Sequence, residues 1–322
     1  MTRRKVVITE PIDNRGIEIL KREAEVVYLP QLSERNLLDE IREAHAVAVR
    51  IAKVDRDLLA QSKNLLVIAK HGVGYDNIDV EAATQKRIPV VNTPEANAES
   101  VAEHNLGLML SLSKKICTSD RALRQGSFEG QKNYIGTELK DKKLGVIGLG
   151  RIGSETARKC KLAFNMDIIV YDPYVPKEKL EQMGYAKTEK LYDLLQESDY
   201  VVICVPLTKE TTNLIGLKEL GLMKANAFLI NSSRGGIVNE AALYDHLVKK
   251  KIAGAALDVF SQEPPPSDHP LLSLDNFIAT PHIGGVTAES MRRMAITMAE
   301  DILRVFRGER PRYLVNPQVY TK

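Results

Sequence analysis

The chain has 322 residues, of which 44% are hydrophobic, and its 45 basic and 42 acidic side chains leave a formal charge of +3. This length accommodates two domains of ordinary size, and this composition is that of a globular protein rather than of a disordered or fibrous chain. Because the basic residues are spread along the chain, the sequence indicates neither a nucleic-acid partner nor a membrane-surface partner.

Short β-branched runs alternate with amphipathic segments in the first part of the chain, which indicates parallel strands covered by helices. The predicted strands are "VVIT" (6–9), "VVYL" (26–29), "AVAVR" (46–50), "LLVIAK" (65–70) and "PVVN" (89–92). One long helix is predicted to follow over residues 98–123.

The same alternation then restarts. Its predicted strands are "KLGVIG" (143–148), "DIIVYD" (167–172), "YVVICVP" (200–206), "AFLINSS" (227–233), "GAALDVF" (254–260) and "NFIATP" (276–281). A further long helix is predicted from near Thr287. The sequence therefore predicts two parallel sheets, built one after the other.

The cysteines and the amino-terminal residues indicate the cellular compartment of the protein. Cys117, Cys160 and Cys204 are far apart and show no CxxC spacing, which is typical of a reducing compartment. The opening "MTRRKVVITE" has too short an apolar run for a signal peptide, and no run reaches the roughly 20 residues of a membrane helix. We therefore expect a cytoplasmic protein.

The glycines of "GLGRIG" carry the most specific local signal. Gly148, Gly150 and Gly153 stand in GxGxxG spacing after an apolar strand and before a helix. The alternative, a glycine-rich turn without a ligand, does not account for Asp172, which ends the following strand where an acid can bond an adenosine ribose. The pattern predicts a dinucleotide site that prefers NAD over NADP.

Six motifs in this order resemble the D-isomer-specific 2-hydroxyacid dehydrogenase family: "GLGRIG", "YDPY", "VPLT", "NSSRGGIVNEAAL", "GAALDVFSQEP" and "TPHIGG". In the first sheet, "VRIAKV" and "KHGVGYDNIDVEAA" are similar to the 3-phosphoglycerate dehydrogenase-like branch. The resemblance covers essentially the whole chain.

The resemblance implies an α/β fold with two Rossmann-like, doubly wound parallel-sheet domains and a cleft between them. The substrate-binding domain would be discontinuous, comprising residues 1–97 and 290–322, and the NAD-binding domain would comprise residues 98–289. The resemblance also implies a homodimer that forms through the segment 116–139, although the composition of this segment alone would also allow a surface loop. It further implies a short form of the enzyme without the regulatory domain of larger relatives.

Three polar residues carry the chemistry that reduction of a 2-keto acid requires. His282 is the expected proton donor, because histidine ordinarily titrates near neutrality. Glu263 is the candidate partner that orients its ring, and Arg234 offers a planar fork of donors to the keto acid. The resemblance gives these positions the same roles. Arg234 could instead cap a helix or form a surface ion pair, and Glu263 could be a solvated loop acid.

The resemblance implies a wider set of cofactor contacts along the second sheet. Beside the glycines and Asp172, these residues are Arg151, Ile152, Val205, Pro206, Thr211, Ser232, Ser233, Gly284 and Gly285. Asp258 is open to two interpretations: it bonds the nicotinamide carboxamide, or it supports the loop that carries His282.

The first sheet offers candidate substrate contacts. Val73 and Gly74 lie in a turn that can present backbone N–H groups to a carboxylate, and Arg50 and Lys70 end two strands. Such cations suit a phosphorylated substrate, although strands often end in solvated basic residues. The family branch more often has arginine at the position of Lys70, which puts a phosphorylated substrate in question.

The sequence thus predicts a D-2-hydroxyacid dehydrogenase that uses NAD. Glyoxylate, hydroxypyruvate, 3-phosphohydroxypyruvate and longer keto acids all fit the residues. The alternative is an NAD-sensing, corepressor-like binding protein with the same fold. No metal site is expected, because the six histidines show no HxH or HxxxH spacing.

Overall fold

The computed structural model describes residues 3–29, 34–128 and 130–321 of the chain. The chain separates into two compact units, the first comprising Met1–Asn97 and Val286–Lys322 and the second comprising Ala98–Gly285. The first unit is thus made from the two ends of the chain. Val286 begins its second segment, four residues before the boundary at 290 that the sequence suggests.

The elements alternate between strand and helix through most of the chain. In chain order, the strands are β1 (Arg4–Ile8), β2 (Ala24–Tyr28), β3 (Ala46–Val49), β4 (Val67–Lys70), β5 (Val90–Val91), β6 (Lys143–Ile147), β7 (Asp167–Tyr171), β8 (Ala186–Lys187), β9 (Tyr200–Ile203), β10 (Phe228–Asn231), β11 (Gly254–Leu257) and β12 (Phe277–Ala279).

The helices are α1 (Asn14–Lys21), α2 (Glu34–Ile41), α3 (Arg56–Gln61), α4 (Val80–Gln85), α5 (Ala98–Ser113), α6 (Ile116–Arg124), α7 (Arg151–Phe164), α8 (Lys177–Gln182), α9 (Leu191–Glu197), α10 (Leu217–Leu220), α11 (Glu240–Val248) and α12 (Ala288–Phe306). Short 3-10 helices lie at Gln131–Tyr134, Pro270–Ser273 and Pro317–Tyr320. No helix in the described ranges is both long enough and apolar enough to cross a membrane.

The first unit is a five-stranded parallel sheet in the order β2-β1-β3-β4-β5. Its strands are short apolar runs because both faces are covered. Val7 and Val47 point into one hydrophobic cluster. Val6 and Ile8 point into the other, which includes Met298 of α12. The two faces alternate residue by residue, as a strand requires.

The second unit is a seven-stranded parallel sheet in the order β12-β11-β10-β9-β6-β7-β8. The strand order runs in opposite directions on either side of the β6–β9 pair. In sheets of this type, ligands bind at the carboxyl ends of the strands near that reversal. Together, the two parallel sheets confirm the predicted fold class.

Two details of the secondary structure differ from the sequence prediction. The long helix predicted over 98–123 is interrupted, because Lys115 adopts the left-handed conformation with φ of 55° and separates α5 from α6. The two-residue strand β8 at the sheet edge has no counterpart in the predicted pattern. By contrast, α12 begins where predicted, with the hydroxyl of Thr287 accepting a hydrogen bond from the N–H of Ser290.

Candidate active site

The glycine-rich turn joins β6 to the amino end of α7. Gly148 has a φ of 88°, which strains any residue with a side chain. A Cβ atom at Gly153 would lie 2.1 Å from the carbonyl oxygen of Gly148, so helix and strand can pack this closely only without it. At Gly150, by contrast, a Cβ would meet nothing within 4 Å. The turn is therefore tight on the protein side and open in front of the helix.

The open side of this turn fits a pyrophosphate. The first N–H groups of a helix have no partner within it, and together with the helix dipole they attract an anion. Gly150 is the N-cap of α7, and it has no side chain that could bond these N–H groups. The residues Arg151 and Ile152 begin that helix, so their N–H groups belong to this set.

Asp172 follows β7 and links two loops. One of its carboxylate oxygens accepts a hydrogen bond from the N–H of Leu149 at 2.8 Å, and the other accepts one from the N–H of Tyr174 at 2.9 Å. These bonds hold an acidic group directly beside the glycine-rich turn. That is the position at which dinucleotide-binding sheets hold an adenosine ribose.

The loops after β9 and β10 are shaped by their own hydroxyl groups. Thr211 Oγ1 donates to the carbonyl oxygen of Pro206 at 2.7 Å, which closes the loop that begins with Val205. Ser232 Oγ donates to Asn105 Oδ1 on α5 at 2.6 Å. Ser233 Oγ donates to the side-chain oxygen of Asn231 at 2.7 Å. These residues lie at the carboxyl edge of the sheet, as the glycine-rich turn does.

The structure places Arg234, Glu263 and His282 on the loops that follow β10, β11 and β12. Because these strands are parallel neighbours, the three loops leave the same edge of the sheet. His282 Nδ1 lies 2.8 Å from Glu263 Oε2. The other carboxylate oxygen of Glu263 accepts a hydrogen bond from the N–H of Phe260 at 3.0 Å. The imidazole and the carboxylate therefore form a hydrogen-bonded pair.

The pKa of Glu263 is lowered from its ordinary value. Burial acts to raise this pKa, but the hydrogen bonds from His282 and from the N–H of Phe260, together with the charges of His282 and Arg234, outweigh it. The carboxylate is therefore ionised at neutral pH and can only accept a hydrogen bond, so His282 Nδ1 must carry the donated proton. The His282 and Glu263 side chains are 50% and 39% exposed, and Nε2 is the ring nitrogen of His282 that does not bond Glu263.

Arg234 is fixed at the end of β10. Its Nη1 donates to the carbonyl oxygen of Ser233 at 2.6 Å, and its own carbonyl oxygen accepts a hydrogen bond from Asn231 Nδ2 at 2.8 Å. Its positive charge acts on Glu263. The guanidinium thus lies in the electrostatic environment of the His282–Glu263 pair.

Asp258 organises the loop that carries His282. Its side chain is 1% exposed. Its oxygens accept hydrogen bonds from Thr280 Oγ1 at 2.5 Å, from the N–H of Ile283 at 2.9 Å and from the N–H of Gly284 at 2.8 Å. Its own carbonyl oxygen accepts a bond from the N–H of His282 at 2.8 Å. These contacts support the loop, and the bond from Asp258 to the nicotinamide carboxamide stays a prediction.

His282 has a φ of 54°, in the left-handed region that non-glycine residues seldom adopt. This conformation costs roughly 1–2 kcal/mol, and it persists only where the surroundings fix it. Burial acts to raise the pKa of Asp258, but its hydrogen bonds from His104, Thr280 and the N–H groups of Ile283 and Gly284 outweigh burial and lower the pKa. The ionised carboxylate therefore holds the strained loop in place.

Gly284, near the end of this loop, packs closely against its neighbours. A Cβ atom at Gly284 would lie 3.0 Å from Asp258 Oδ2 and 3.2 Å from the ring of His104. The carbonyl oxygen of Gly284 accepts a hydrogen bond from Ser100 on α5. Gly285 is the last residue of the second unit.

Arg50, Lys70, Val73 and Gly74 belong to the first unit, whereas the other predicted site residues belong to the second. Lys70 is only 9% exposed, and its Nζ donates to the carbonyl oxygen of Arg50 and to Asn77 Oδ1, both at 2.5 Å. In the adjacent turn, the carbonyl oxygen of Val73 accepts a hydrogen bond from Asn92 Nδ2 at 2.7 Å. Lys70 therefore stabilises the strand ends, while the guanidinium of Arg50 makes no hydrogen bond within the described ranges.

No group of three or more potential metal ligands among His, Cys, Asp and Glu occurs in the part of the chain that the structure describes. The polar groups at the carboxyl edge of the second sheet include Arg234, Glu263, His282 and the first amides of α7.

Residues 106–284 match the NAD binding domain of the D-isomer specific 2-hydroxyacid dehydrogenases. The chain belongs to this family. The match spans most of the second unit and confirms both the resemblance seen in the sequence and NAD as the cofactor.

The curated relatives and solved structures agree with this assignment. The chain is 45% identical over 313 residues to D-3-phosphoglycerate dehydrogenase of Methanocaldococcus jannaschii, covering 97% of this chain and 59% of that protein. It is 41% identical over 308 residues to hydroxypyruvate reductase of Thermotoga maritima, covering 94% and 99%. A D-lactate dehydrogenase from Aquifex aeolicus, complexed with NAD and lactic acid, is 31% identical with a TM-score of 0.83, covering 95% and 96%. The chain spans about three fifths of the length of the first of these relatives.

The structure adds residues to the site that the sequence did not single out. His104 Nε2 lies 3.1 Å from Thr280 Oγ1 and 3.5 Å from Asp258. His104 occurs within a helix far from the "TPHIGG" motif, so no local pattern connects the two. Glu240 and His269 contact the loop that carries Glu263. In the sequence, Glu240 resembles an ordinary acid in the first turn of a helix.

Proposed function

We propose that this member of the family is an oxidoreductase that transfers a hydride between NAD and a small D-2-hydroxy acid or its 2-keto form. The observation that carries the proposal is the hydrogen-bonded pair of His282 and Glu263 at 2.8 Å, on the sheet edge that also presents the dinucleotide turn. The names of the relatives, phosphoglycerate dehydrogenase and hydroxypyruvate reductase, are in keeping with this activity.

The cofactor would be held at the end of the second sheet. The N–H groups at the start of α7 would bind its pyrophosphate, and Asp172 would accept hydrogen bonds from its adenosine ribose. The loops of Val205 to Thr211 and of Ser232 and Ser233 would flank it. When bound, NADH supplies the hydride for reduction of the keto group. Because Asp172 would repel a 2′-phosphate, we expect NADH to be preferred over NADPH.

The proton would come from His282. In reduction, Nε2 donates its proton to the carbonyl oxygen of the substrate, and in oxidation Nε2 accepts the hydroxyl proton. Glu263 stays ionised throughout and stabilises the imidazolium through Nδ1. Arg234 would bind the substrate carboxylate or polarise its carbonyl, because its planar donors match both groups.

The first unit would bind the rest of the substrate. We propose that the turn of Val73 and Gly74 receives a carboxylate through backbone N–H groups. Lys70 is occupied by Arg50 and Asn77, so recognition of a distal phosphate would depend on Arg50. Glyoxylate, hydroxypyruvate and 3-phosphohydroxypyruvate remain the candidate substrates.

We also propose a cytoplasmic homodimer. All nine residues of α6 are at least partly exposed, although the helix has an apolar edge. Leu123, Phe128 and Ile135 are 57%, 82% and 73% exposed, which is high for large apolar side chains. A second copy of the chain packing on the segment 116–139 would bury them. In a reducing compartment, Cys117, Cys160 and Cys204 would stay thiols.

The function is tested with a panel of keto acids and with NADH or NADPH as the reductant. We expect turnover of at least one of the three candidate acids, with a higher kcat/KM for NADH. His282→Ala should lower kcat by roughly 100-fold or more, the usual scale for a lost general acid. NADH binding, followed by fluorescence, should change little. A His282→Ala variant with kcat within a few-fold of wild type would refute the proposal.

A further inference from the structure

A second carboxylate–imidazole pair contacts the loop that carries Glu263. His269 Nε2 is 3.1 Å from Glu240 Oε2, and these side chains are only 15% and 17% exposed. The other oxygen of Glu240 accepts two hydrogen bonds from Ser261, one from its N–H and one from its hydroxyl, both at 2.7 Å. The pair therefore reaches from the first turn of α11 to the loop after β11.

The contacts on this loop come from two different carboxylates. Glu263 holds the N–H of Phe260, and Glu240 holds the next N–H along the chain, that of Ser261. The ring of His269 packs edge-on against the ring of Phe260, with the centroids 5.6 Å apart. The N–H groups of Phe260 and Ser261 are thus held by two carboxylates, and the ring of Phe260 is held by His269.

The same loop is confined on its other side by the segment that carries Arg234. A Cβ atom at Gly235 would lie 1.9 Å from the carbonyl oxygen of Phe260 and 2.5 Å from the backbone nitrogen of Ser261. The two backbones can approach this closely only because residue 235 is a glycine. A shift of the loop away from Glu240 would therefore also disturb its contact beside Arg234.

One ring nitrogen of His269 lacks a hydrogen-bond partner in the described parts of the chain. This atom, Nδ1, is buried. Buried polar atoms without partners are rare in folded proteins and oppose folding. The ring also contacts Glu240 through Nε2 and Phe260 through its edge, and both of these residues act on the loop that carries Glu263.

We propose that Glu240 and His269 are positioning residues for the catalytic carboxylate. By holding Ser261 and Phe260, they keep Glu263 in the orientation in which Oε2 meets His282 Nδ1. This inference rests on the proposed function of Glu263 and His282. Groups that support a catalytic side chain commonly change activity by 10- to 100-fold when removed, because small displacements misalign the reacting atoms.

The test compares Glu240→Ala with a matched variant, Asp199→Ala. Asp199 is also 17% exposed, and it accepts hydrogen bonds from the N–H of Lys143 and from Lys224 Nζ, both at 3.0 Å. It precedes β9 and so lies at the amino edge of the same sheet, away from the site. Its removal costs similar bonds without touching the loop.

We expect Glu240→Ala to lower kcat for hydroxypyruvate about 10-fold, with KM and the Kd of NADH changed less than about two-fold. Glu240→Gln should recover most of the lost kcat, because its amide oxygen can still accept the bonds from Ser261. Asp199→Ala should leave kcat within about two-fold at a comparable loss of Tm. If the two alanine variants lost kcat equally, or if KM rose in step, the pair would be merely structural.

Two milder variants cover the case in which Glu240→Ala does not fold. His269→Gln and Ser261→Ala each remove part of the same contact set and should lower kcat in the same direction. If both keep the wild-type kcat, the inference is wrong. Failure of the proposed function is separate: it would appear as an active His282→Ala variant, whatever Glu240→Ala does.

Discussion

The two units use the same parallel-sheet architecture but expose the polar residues at their strand ends very differently. At the end of β4, Lys70 and His71 are 9% and 2% exposed. After β11 and β12, the side chains of Glu263 and His282 are 39% and 50% exposed. Burial lowers the pKa of His71 to about 4, so its ring is neutral at neutral pH. The kind of residue at a strand end therefore does not by itself indicate a site.

The difference lies in what the charged groups contact. In the first unit, Glu10 accepts hydrogen bonds from the N–H groups of Arg50, Ile51 and Ala52 at 2.7, 2.8 and 2.5 Å, and Lys70 bonds neighbouring chain segments. These charges stabilise loops. In the second unit, Asp258 stabilises the loop that carries His282, and the imidazole of His282 is half exposed. The guanidinium of Arg50 makes no hydrogen bond within the described ranges, so substitution of Arg50 tests whether a charge of the first unit serves recognition instead.

Of the substitutions of Arg50, Lys70 and Asp258, Arg50→Ala should have the largest effect, and this effect should appear in kcat/KM. If the guanidinium binds a distal phosphate, kcat/KM for 3-phosphohydroxypyruvate should fall by about 1.5–3 kcal/mol, or roughly 10- to 150-fold. The value for glyoxylate should stay within a few-fold, because glyoxylate has no phosphate. Steady-state kinetics with both substrates measure the difference.

Lys53→Ala is the control for Arg50→Ala. Lys53 is a neighbouring cation that is 79% exposed, and its replacement should leave both substrates within about two-fold. Equal losses for both substrates in Arg50→Ala would mean that Arg50 holds the common carboxylate or the unit itself. No loss for either would remove the phosphate-binding role from the first unit.

Lys70→Met should act on stability rather than on recognition. The methionine fills similar volume but leaves the carbonyl oxygen of Arg50 and Asn77 Oδ1 without their donor, which costs about 1–3 kcal/mol. Urea denaturation should show this loss in the free energy of unfolding, with an unchanged m-value. A variant as stable as wild type, with KM raised more than ten-fold, would instead return Lys70 to substrate binding.

Asp258→Asn should show the smallest effect, in the pH dependence of stability. The pKa of Asp258 is lowered in the folded state, so its contribution to stability is present above the unfolded value near pH 4 and is lost as the pH falls through the folded pKa. The free energies of unfolding of wild type and variant should therefore differ most at neutral pH and converge in acid. A difference that stays constant down to about pH 3 would show that the charge of Asp258 does not matter.

Much of the second unit could be predicted because its signals are local. The runs before Gly148 and Asp172 are β-branched, and glycine and proline frame His282, so both the strands and the main site residues follow from short patterns. The break at Lys115 could not be predicted, because neither glycine nor proline marks it. Glu240 was missed because its partners Ser261 and His269 come from distant parts of the sequence, and only the tertiary structure brings them together.

The left-handed backbone of His282 bears on how a complex with substrate could be trapped. Alanine at this position would keep the backbone strain at φ of 54° but would lack the imidazole ring. Asparagine enters the left-handed region more readily than other side chains and has no proton to exchange near neutral pH. His282→Asn is therefore the better choice for soaking or co-crystallisation with NADH and a keto acid, since the loop should keep its shape while turnover stops.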